Sequence, residues 1–490
     1  MSTHHDSNVG AFDLRAAERQ SMIEHGFEPE FSPEIEREMV ALAAHPPTPD
    51  AAVEDLRHLL WSSIDNDTSR DLDQIEYAEQ NSSGDVRILI GIADVDLYVP
   101  KGSAIDRRAA VETTTVYSGI TVYPMLPEQL STGLTSLLEG EDRASVVTEF
   151  VLDGKDNVKE SRLYRALVRN KAQLAYSSAG AWLEGRKNAP RKVAESSELQ
   201  AQLRLQNETA QRLRVKRFER GALALETIET RAMIEGGAID IEFEERNAAT
   251  ELIEDFMVAA NGVVARTLRE KRIASIRRIV RTPKRWDRIV QLAKEMGEAL
   301  PAEPDSKALN DFLCRRRQED PDHFADLSLA VVKLMGPGEY VVENPDERPE
   351  GHFALAVEDY AHSTAPNRRY ADLVTQRLVK AMIAGRPSPY SDEELTVIAT
   401  NCTNKATAER KVEREMQKRI AAVALRHRIG EIFRAIVTGV TDRGTFVRTL
   451  TPHVDGMLVH GPQGVDVGDR LNVRLVRTDP AHGFIDFARA

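Results

Sequence analysis

The chain has 490 residues, with 65 basic and 78 acidic side chains and a formal charge of −13. Its apolar share of 41% and charged share of 29% suit a soluble globular protein, and its length leaves room for about three domains. No apolar run approaches the roughly 20 residues that span a bilayer. The first residues lack a signal-peptide pattern, and two cysteines, Cys314 and Cys402, exclude a disulfide framework or a zinc site.

Residues 1–60 read as helical pieces around the loop "AAHPPTPDAA", a stretch that could hold a helix-turn-helix. In "SPEIEREMVALAA", Ser32 stands as a cap and Pro33 at the first helical position. From about 61 the pattern changes. "VRILIGIADV" at 86–95 is a short, branched apolar run that reads as a buried strand. Amphipathic helices are predicted near 195–220, 249–272, 285–299, 367–384 and 393–428. Mixed strands and long helices over 61–428 imply an α+β body. Five short strands in residues 429–490, parted by turns such as Asp442-Arg-Gly444, predict a small OB-type barrel. Two basic runs, 212–220 and 266–288, read either as solvated helix faces or as a path for a polyanion.

The stretch "IDNDTSRDLDQ" at 64–74 carries four aspartates in nine positions, with Arg70 the only nearby basic group. Like charges raise one another's pKa, so such crowding needs a reason. Asp71 and Asp73 share a face if the segment is extended. Asp65 joins them if the turn-formers Asn66, Asp67, Thr68 and Ser69 make a loop that doubles back. Three convergent carboxylates suit a hard cation, Mg²⁺ or Mn²⁺, rather than zinc. A solvated acidic loop or a structural Ca²⁺ loop is the alternative, but the spacing is not that of an EF-hand.

A second stretch, "GHFALAVEDYAHSTAPNRRYADLVTQRLV" at 351–379, resembles the signature of the RNase II (RNB) exoribonuclease family. The aspartate stretch resembles that family's metal-binding motif, an Asp followed by five residues and then D-x-D-D. "ITVYPMLPEQLSTGLTSLLEGEDR" at 120–143, "ELIEDFMVAAN" at 251–261 and "AERKVERE" at 408–415 are similar to further family blocks. The tail resembles its S1 RNA-binding domain, and the likeness covers roughly 60–490. The resemblance implies a Mg²⁺-dependent 3′→5′ exoribonuclease that takes RNA by a single-stranded 3′ end and releases nucleoside 5′-monophosphates. It implies an RNB domain at 61–428 and an S1 domain at 429–490; a monomer is expected, and the two cysteines fit a reducing cytoplasm.

By the same resemblance, Asp65, Asp71, Asp73 and Gln74 would hold the metal, with Asp71, Asp73 and Arg368 at the scissile phosphate. Tyr117 would stack on the terminal base, and Arg369, Glu254 and Glu409 would contact the substrate. An ion pair with Asp372 is the rival reading for the two arginines, a core position for Tyr117, and a solvated helix carboxylate for Glu254 and Glu409. His362 reads as an orienting residue; Phe446 and His460 are candidates for the RNA face of the tail, with barrel core the rival for Phe446. The chain also departs from the family. Gln74 stands for its fourth aspartate, Gly91 for a histidine, and "RRIVR" at 277–281 for an R-V-H-E block. Residues 1–60 read as helical where the family commonly has two cold-shock barrels. These departures leave a second reading, an RNA-binding regulator on a weakened nuclease fold.

Overall fold

The computed structural model describes residues 12–49, 52–226, 229–235, 238–244, 246–347, 349–442 and 444–490, without the side chains of 229–244 and 322. Helices α1 (Leu14–Glu24) and α2 (Pro33–Ala44) precede strands β1 (Glu54–Asp55), β2 (Trp61–Asp65), β3 (Gln74–Gln80) and β4 (Val86–Ala93). Helix α3 (Ala104–Glu112) and a hairpin, β5 (Val116–Tyr117) and β6 (Val122–Tyr123), come next. Strands β7 (Asp142–Leu152) and β8 (Val158–Ala175) complete the main sheet. Its order is β1-β8-β2-β3-β4-β7, and β8 is long enough to pair with β7 as well as with β1 and β2. Then follow α4 (Tyr176–Leu183), α5 (Arg191–Ala194), α6 (Ser197–Glu219), the antiparallel pair β9 (Glu229–Glu235) and β10 (Ala238–Glu244), and α7 (Ala248–Glu270).

A second antiparallel pair, β11 (Ser275–Ile279) and β12 (Glu339–Glu343), brackets helices α8 (Trp286–Glu295), α9 (Ser306–Glu319) and α10 (Phe324–Met335). Helix α8 stops four residues short of the predicted end, because Met296 caps it and Gly297 turns out at φ +81°. Helices α11 (Tyr370–Ile383) and α12 (Asp392–Ala424) lead into the closing barrel. Among the described residues, no helix is long and apolar enough to cross a membrane.

Both faces of the main sheet are covered, which explains the apolar run at 88–93 in β4. On one face Trp61, Ile75 and Leu89 pack toward Leu373 and Val374 of α11 and Leu395 of α12. On the other, Ile64, Ile88, Ile90 and Ile92 meet Leu252, Phe256 and Val263 of α7 and Leu203 of α6. The barrel, β13 (Ile432–Thr441), β14 (Gly444–Thr449), β15 (Asp455–His460), β16 (Arg470–Asp479) and β17 (Phe484–Arg489), closes in the order β13-β14-β15-β17-β16. Its core takes in Ala421, Ala422 and Leu425 at the end of α12, and Arg448 reaches Asp326 of α10 at 3.0 Å. Phe446 lies outside that core and is 37% exposed, and His460 is exposed at the end of β15.

The N-terminal helices share cores with the body. Met22 and Phe27 pack with Val412, Met416 and Ile420 of α12 and with Val116 of the hairpin. Ile35 and Met39 of α2 join the cluster that holds Ala104, Ile105 and Ala109 of α3.

The basic runs are not the open stripe that the sequence suggested. Residues 266–288 are divided between α7, β11 and α8, and most of their arginines are engaged. Arg269 pairs with Asp359, Arg272 with Asp346, Arg281 with Glu339 and Glu350, and the buried Arg277 with Glu343. In the other run Arg212 meets Asp156, while Arg214 and Arg217 share Asp255. The neutralising acids come from segments distant in sequence, which a local charge count cannot see.

Candidate active site

The aspartate loop is shaped by its own side chains and by one serine. Asp65 ends β2, and its Oδ1 accepts from the Asn66 amide at 2.7 Å and from Ser69 Oγ at 2.8 Å. Ser136 Oγ donates to the Arg70 carbonyl at 2.6 Å and accepts from the Leu72 amide at 3.0 Å. Leu72 is fully buried, so the extended chain turns Asp71 and Asp73 to the side opposite its anchor. The Asp73 carbonyl then takes the Ala93 amide at 3.0 Å and hands the chain to β3. Asp67 is exposed and points no carboxylate inward to compensate for Gln74.

Asp73 is the most enclosed member, with no exposed surface. Its Oδ1 accepts from the Asn367 amide at 3.0 Å and its Oδ2 from Arg368 Nε at 2.7 Å. Burial pushes its carboxyl up to about 6, against the pull of Arg368. Asp71 is raised by burial too; Arg368 opposes that rise and Asp65 adds to it. For Arg368, burial disfavours the charge, but Asp73, Tyr117, Asp65 and Asp71 together hold its pKa well above the ordinary arginine value. Three aspartates and an arginine therefore meet at one place, although their motifs lie some 295 positions apart.

Tyr117 completes this group. Its side chain is 41% exposed, so it is not a core tyrosine. Burial of its hydroxyl pushes the phenol up to about 12, and Arg368, close by, opposes that rise. The hairpin is tied to the arginine loop by the backbone: the Thr115 amide donates to the Arg368 carbonyl at 2.9 Å, and the Tyr370 amide to the Thr113 carbonyl at 2.8 Å.

The arginine loop is held from behind by Asp372. That buried carboxylate accepts from the Thr364 and Ala365 amides at 2.8 and 2.9 Å, and from Arg369 Nε and Nη2 at 2.8 and 2.7 Å. The ion pair with Asp372 weighed for both arginines is thus made by Arg369, whereas Arg368 turns to Asp73.

Next to Arg369 lies an aromatic wall that the sequence reading did not assemble. Arg278 lies 4.7 Å over the Tyr340 ring, and Tyr340 Oη meets His362 Nδ1 at 2.8 Å. Tyr360 and His352 extend the wall edge-to-face. Burial, with Arg369 and Arg278 nearby, keeps His362 well below the usual histidine range, so it is a neutral partner of Tyr340. Glu409 faces this region: burial and Glu413 push it up to about 7, while Arg410, Arg278 and Arg369 pull the other way. Glu254 pairs with Arg246 and Arg217, and Arg217 lies near enough to Tyr360 to act on its phenol.

Two departures from the family pattern acquire a physical reason. A side chain at Gly91 would meet Ile75 and Ser145 at 3.1 Å and Trp61 at 3.5 Å, so the core fills the space a histidine would need. Gln74 is nearly buried at the start of β3. Two residues on, and on the same strand face, is Glu76, also missed from the sequence. It has no exposed surface, and neither carboxylate oxygen has a hydrogen-bond partner among the described residues. Burial, with Asp65 adding, holds it well above the usual carboxylate range.

The oxygen-only donor set at 65, 71 and 73 has the chemistry of a hard-cation site. No group of three or more His, Cys, Asp and Glu among the described residues is gathered closely enough to hold an ion. Both Asp73 oxygens accept from protein donors, the Asn367 amide and Arg368 Nε.

Comparison with known proteins agrees with this architecture. The RNB domain family model matches residues 53–385, and the RNase II-type exonuclease C-terminal S1 domain matches 431–490. The chain belongs to the RNB family. It is similar to Ribonuclease R of Thermotoga maritima, 30% identical over 94% of this chain and 68% of that protein. It is similar also to Ribonuclease R of Vibrio parahaemolyticus, 31% identical over 83% of this chain; the chain spans only 50% of that relative's length. Among solved structures, Mycoplasma genitalium RNase R in complex with double-stranded RNA superposes with a TM-score of 0.85. That match has 25% identity and covers 98% of this RNB chain and 84% of the other.

Proposed function

We propose that this chain is a 3′→5′ exoribonuclease that takes RNA by a single-stranded 3′ end and releases nucleoside 5′-monophosphates. The observation that carries the reading is the Asp73–Arg368 pair at 2.7 Å, with Tyr117, Asp65 and Asp71 near enough to act on the same guanidinium. The family likeness supports it, as do relatives named Ribonuclease R. A divalent cation, Mg²⁺ or Mn²⁺, held by Asp65, Asp71 and Asp73 beside Gln74 would polarise the phosphate and lower the pKa of attacking water.

Tyr117 presents an exposed ring on which the terminal base stacks, worth about 1–3 kcal/mol. Arg368 offers a guanidinium that stays charged and whose donors match phosphate oxygens. A phosphate that takes Arg368 draws the guanidinium from Asp73, whose carboxylate would then be free to help hold a cation. Arg369 is fixed by Asp372 and adds positive potential, with Glu409 and the Tyr340 wall along the RNA path. Hydrolysis breaks the bond between phosphorus and the 3′-oxygen of the preceding nucleotide, which leaves as a hydroxyl. The barrel, with Phe446 and His460 outside its core, holds incoming RNA.

The test is a time course with 5′-labelled single-stranded RNA in Mg²⁺, in Mn²⁺ and in chelator, beside an all-DNA strand. Stepwise shortening of RNA alone, lost in chelator, is expected. RNA bound but not shortened in either ion would favour the second reading, a binding protein whose Gln74 marks a weakened site.

The high pKa of Asp73 sets a pH dependence. A proton on Asp73 competes with the cation, so affinity should be nearly constant above about pH 7 and fall through about 6. Titration calorimetry with Mn²⁺ at pH 7 and pH 5 should show a loss of about tenfold. A flat profile would remove Asp73 from the ligand set.

A further inference from the structure

We infer that helix α1 is a working part of the active site and that Glu18 is a positioning residue for Tyr117. The inference rests on the exoribonuclease reading above and adds a role for the N-terminal region. Glu18 has no exposed surface, an unusual place for a carboxylate on the first helix of a chain. Its carboxylate faces one element, the β5–β6 hairpin. Oε1 accepts from the Thr121 amide at 3.0 Å and contacts Ser118 Oγ, and Oε2 accepts from Tyr123 Oη at 3.3 Å. Ser118 Oγ also lies 2.6 Å from the Thr121 carbonyl, so the turn closes around this one carboxylate.

Besides Glu18, the hairpin is held by Val116, Ile120 and Tyr123, which pack against Met22, Val412, Met416 and Ile420. Each strand is two residues long, and such a hairpin is not stable by itself. Its base is stitched to the arginine loop through Thr115 and Arg368, but its tip is held by Glu18 and by the approach of Gly119 to Ile420. Tyr117 immediately precedes the Glu18-bound Ser118 and carries the hydroxyl that lies close to Arg368. Helix α1 is itself anchored to α12, where Ser21 Oγ donates to Glu415 at 2.9 Å and Lys405 Nζ to the Gly26 carbonyl at 2.6 Å. A rigid path therefore runs from α12 through α1 and Glu18 to the ring on which the terminal base stacks.

The experiment uses the full chain in an Asp73→Asn background, with RNA ending in 3′-terminal 2-aminopurine. Stacking on Tyr117 quenches the fluorophore, and Tyr117→Ala defines the unstacked signal. Glu18→Ala should recover at least half of that signal, and in the active chain should lower kcat about fivefold or more and change the length of the final product. KM should shift less than kcat. Ser118→Ala, which removes one hairpin contact, should move the same readouts partway, and Glu18→Gln should restore much of the quenching. Gln20→Ala, on the exposed side of the same helix and hydrogen-bonded to Glu24, should leave them unchanged. Wild-type quenching, product length and kcat in Glu18→Ala and Ser118→Ala would overturn the inference while leaving the exoribonuclease intact. If the wild-type chain does not shorten RNA, or Tyr117→Ala leaves the fluorescence unaltered, the underlying reading fails instead.

Discussion

Asp73→Asn is expected to abolish RNA shortening, by at least about 100-fold, while RNA affinity stays equal or rises. Asparagine keeps the shape of the side chain and can still accept the Asn367 amide, which lies 3.0 Å away. It cannot keep the charge. Its amide nitrogen would face Arg368 Nε, donor against donor, where the carboxylate now accepts at 2.7 Å. The substitution thus removes a hard-cation ligand and frees the guanidinium toward any phosphate that enters. Rate and affinity should separate, with the rate lost in a labelled-RNA time course and the affinity held in fluorescence anisotropy. Loss of both together would mean that Asp73 supports the fold of the loop rather than the reaction.

Why was Asp73 legible and its partner's role less so? The aspartates stand in one short stretch, and the arginines in another, so each could be read as a local pattern. What joins them is a contact across 295 residues, set by β3 and the α11 entry packing together. The same limit explains the basic runs. Arg277 and Arg269 read as free charge in sequence, yet Glu343 and Asp359 neutralise them from other segments. Periodicity did better where burial follows the period: the apolar run of β4 and the strands of the barrel appear as read. Glu18 carries no local sign at all, since a glutamate in an amphipathic helix is ordinary until the hairpin closes on it. Glu76 could have been noticed as a carboxylate two places beyond Gln74 on one strand face. That needed the start of β3, which the turn-rich loop before it obscured.

Asp372→Ala should have the largest effect on stability, about 3–5 kcal/mol, because it strands partners rather than merely removing a contact. Two amides of the 364–365 turn would lose their acceptor, each an unsatisfied buried group costing about 1–3 kcal/mol. Arg369, with 31% of its side chain exposed, would lose its carboxylate partner on the loop while Arg278 remains near it. Solvent screening of that half-open arginine trims the loss toward the lower figure. The urea midpoint of unfolding should fall accordingly, and Asp372→Asn, which keeps one acceptor, should fall less. Activity should fall in both variants at temperatures where they remain folded. The turn that Asp372 holds also aims the Asn367 amide and the Arg368 guanidinium at Asp73. An alanine variant with an unchanged midpoint but a lost rate would show that the loop is braced elsewhere and that Asp372 acts through Arg369 alone. A lowered midpoint with wild-type turnover below it would confine Asp372 to the fold.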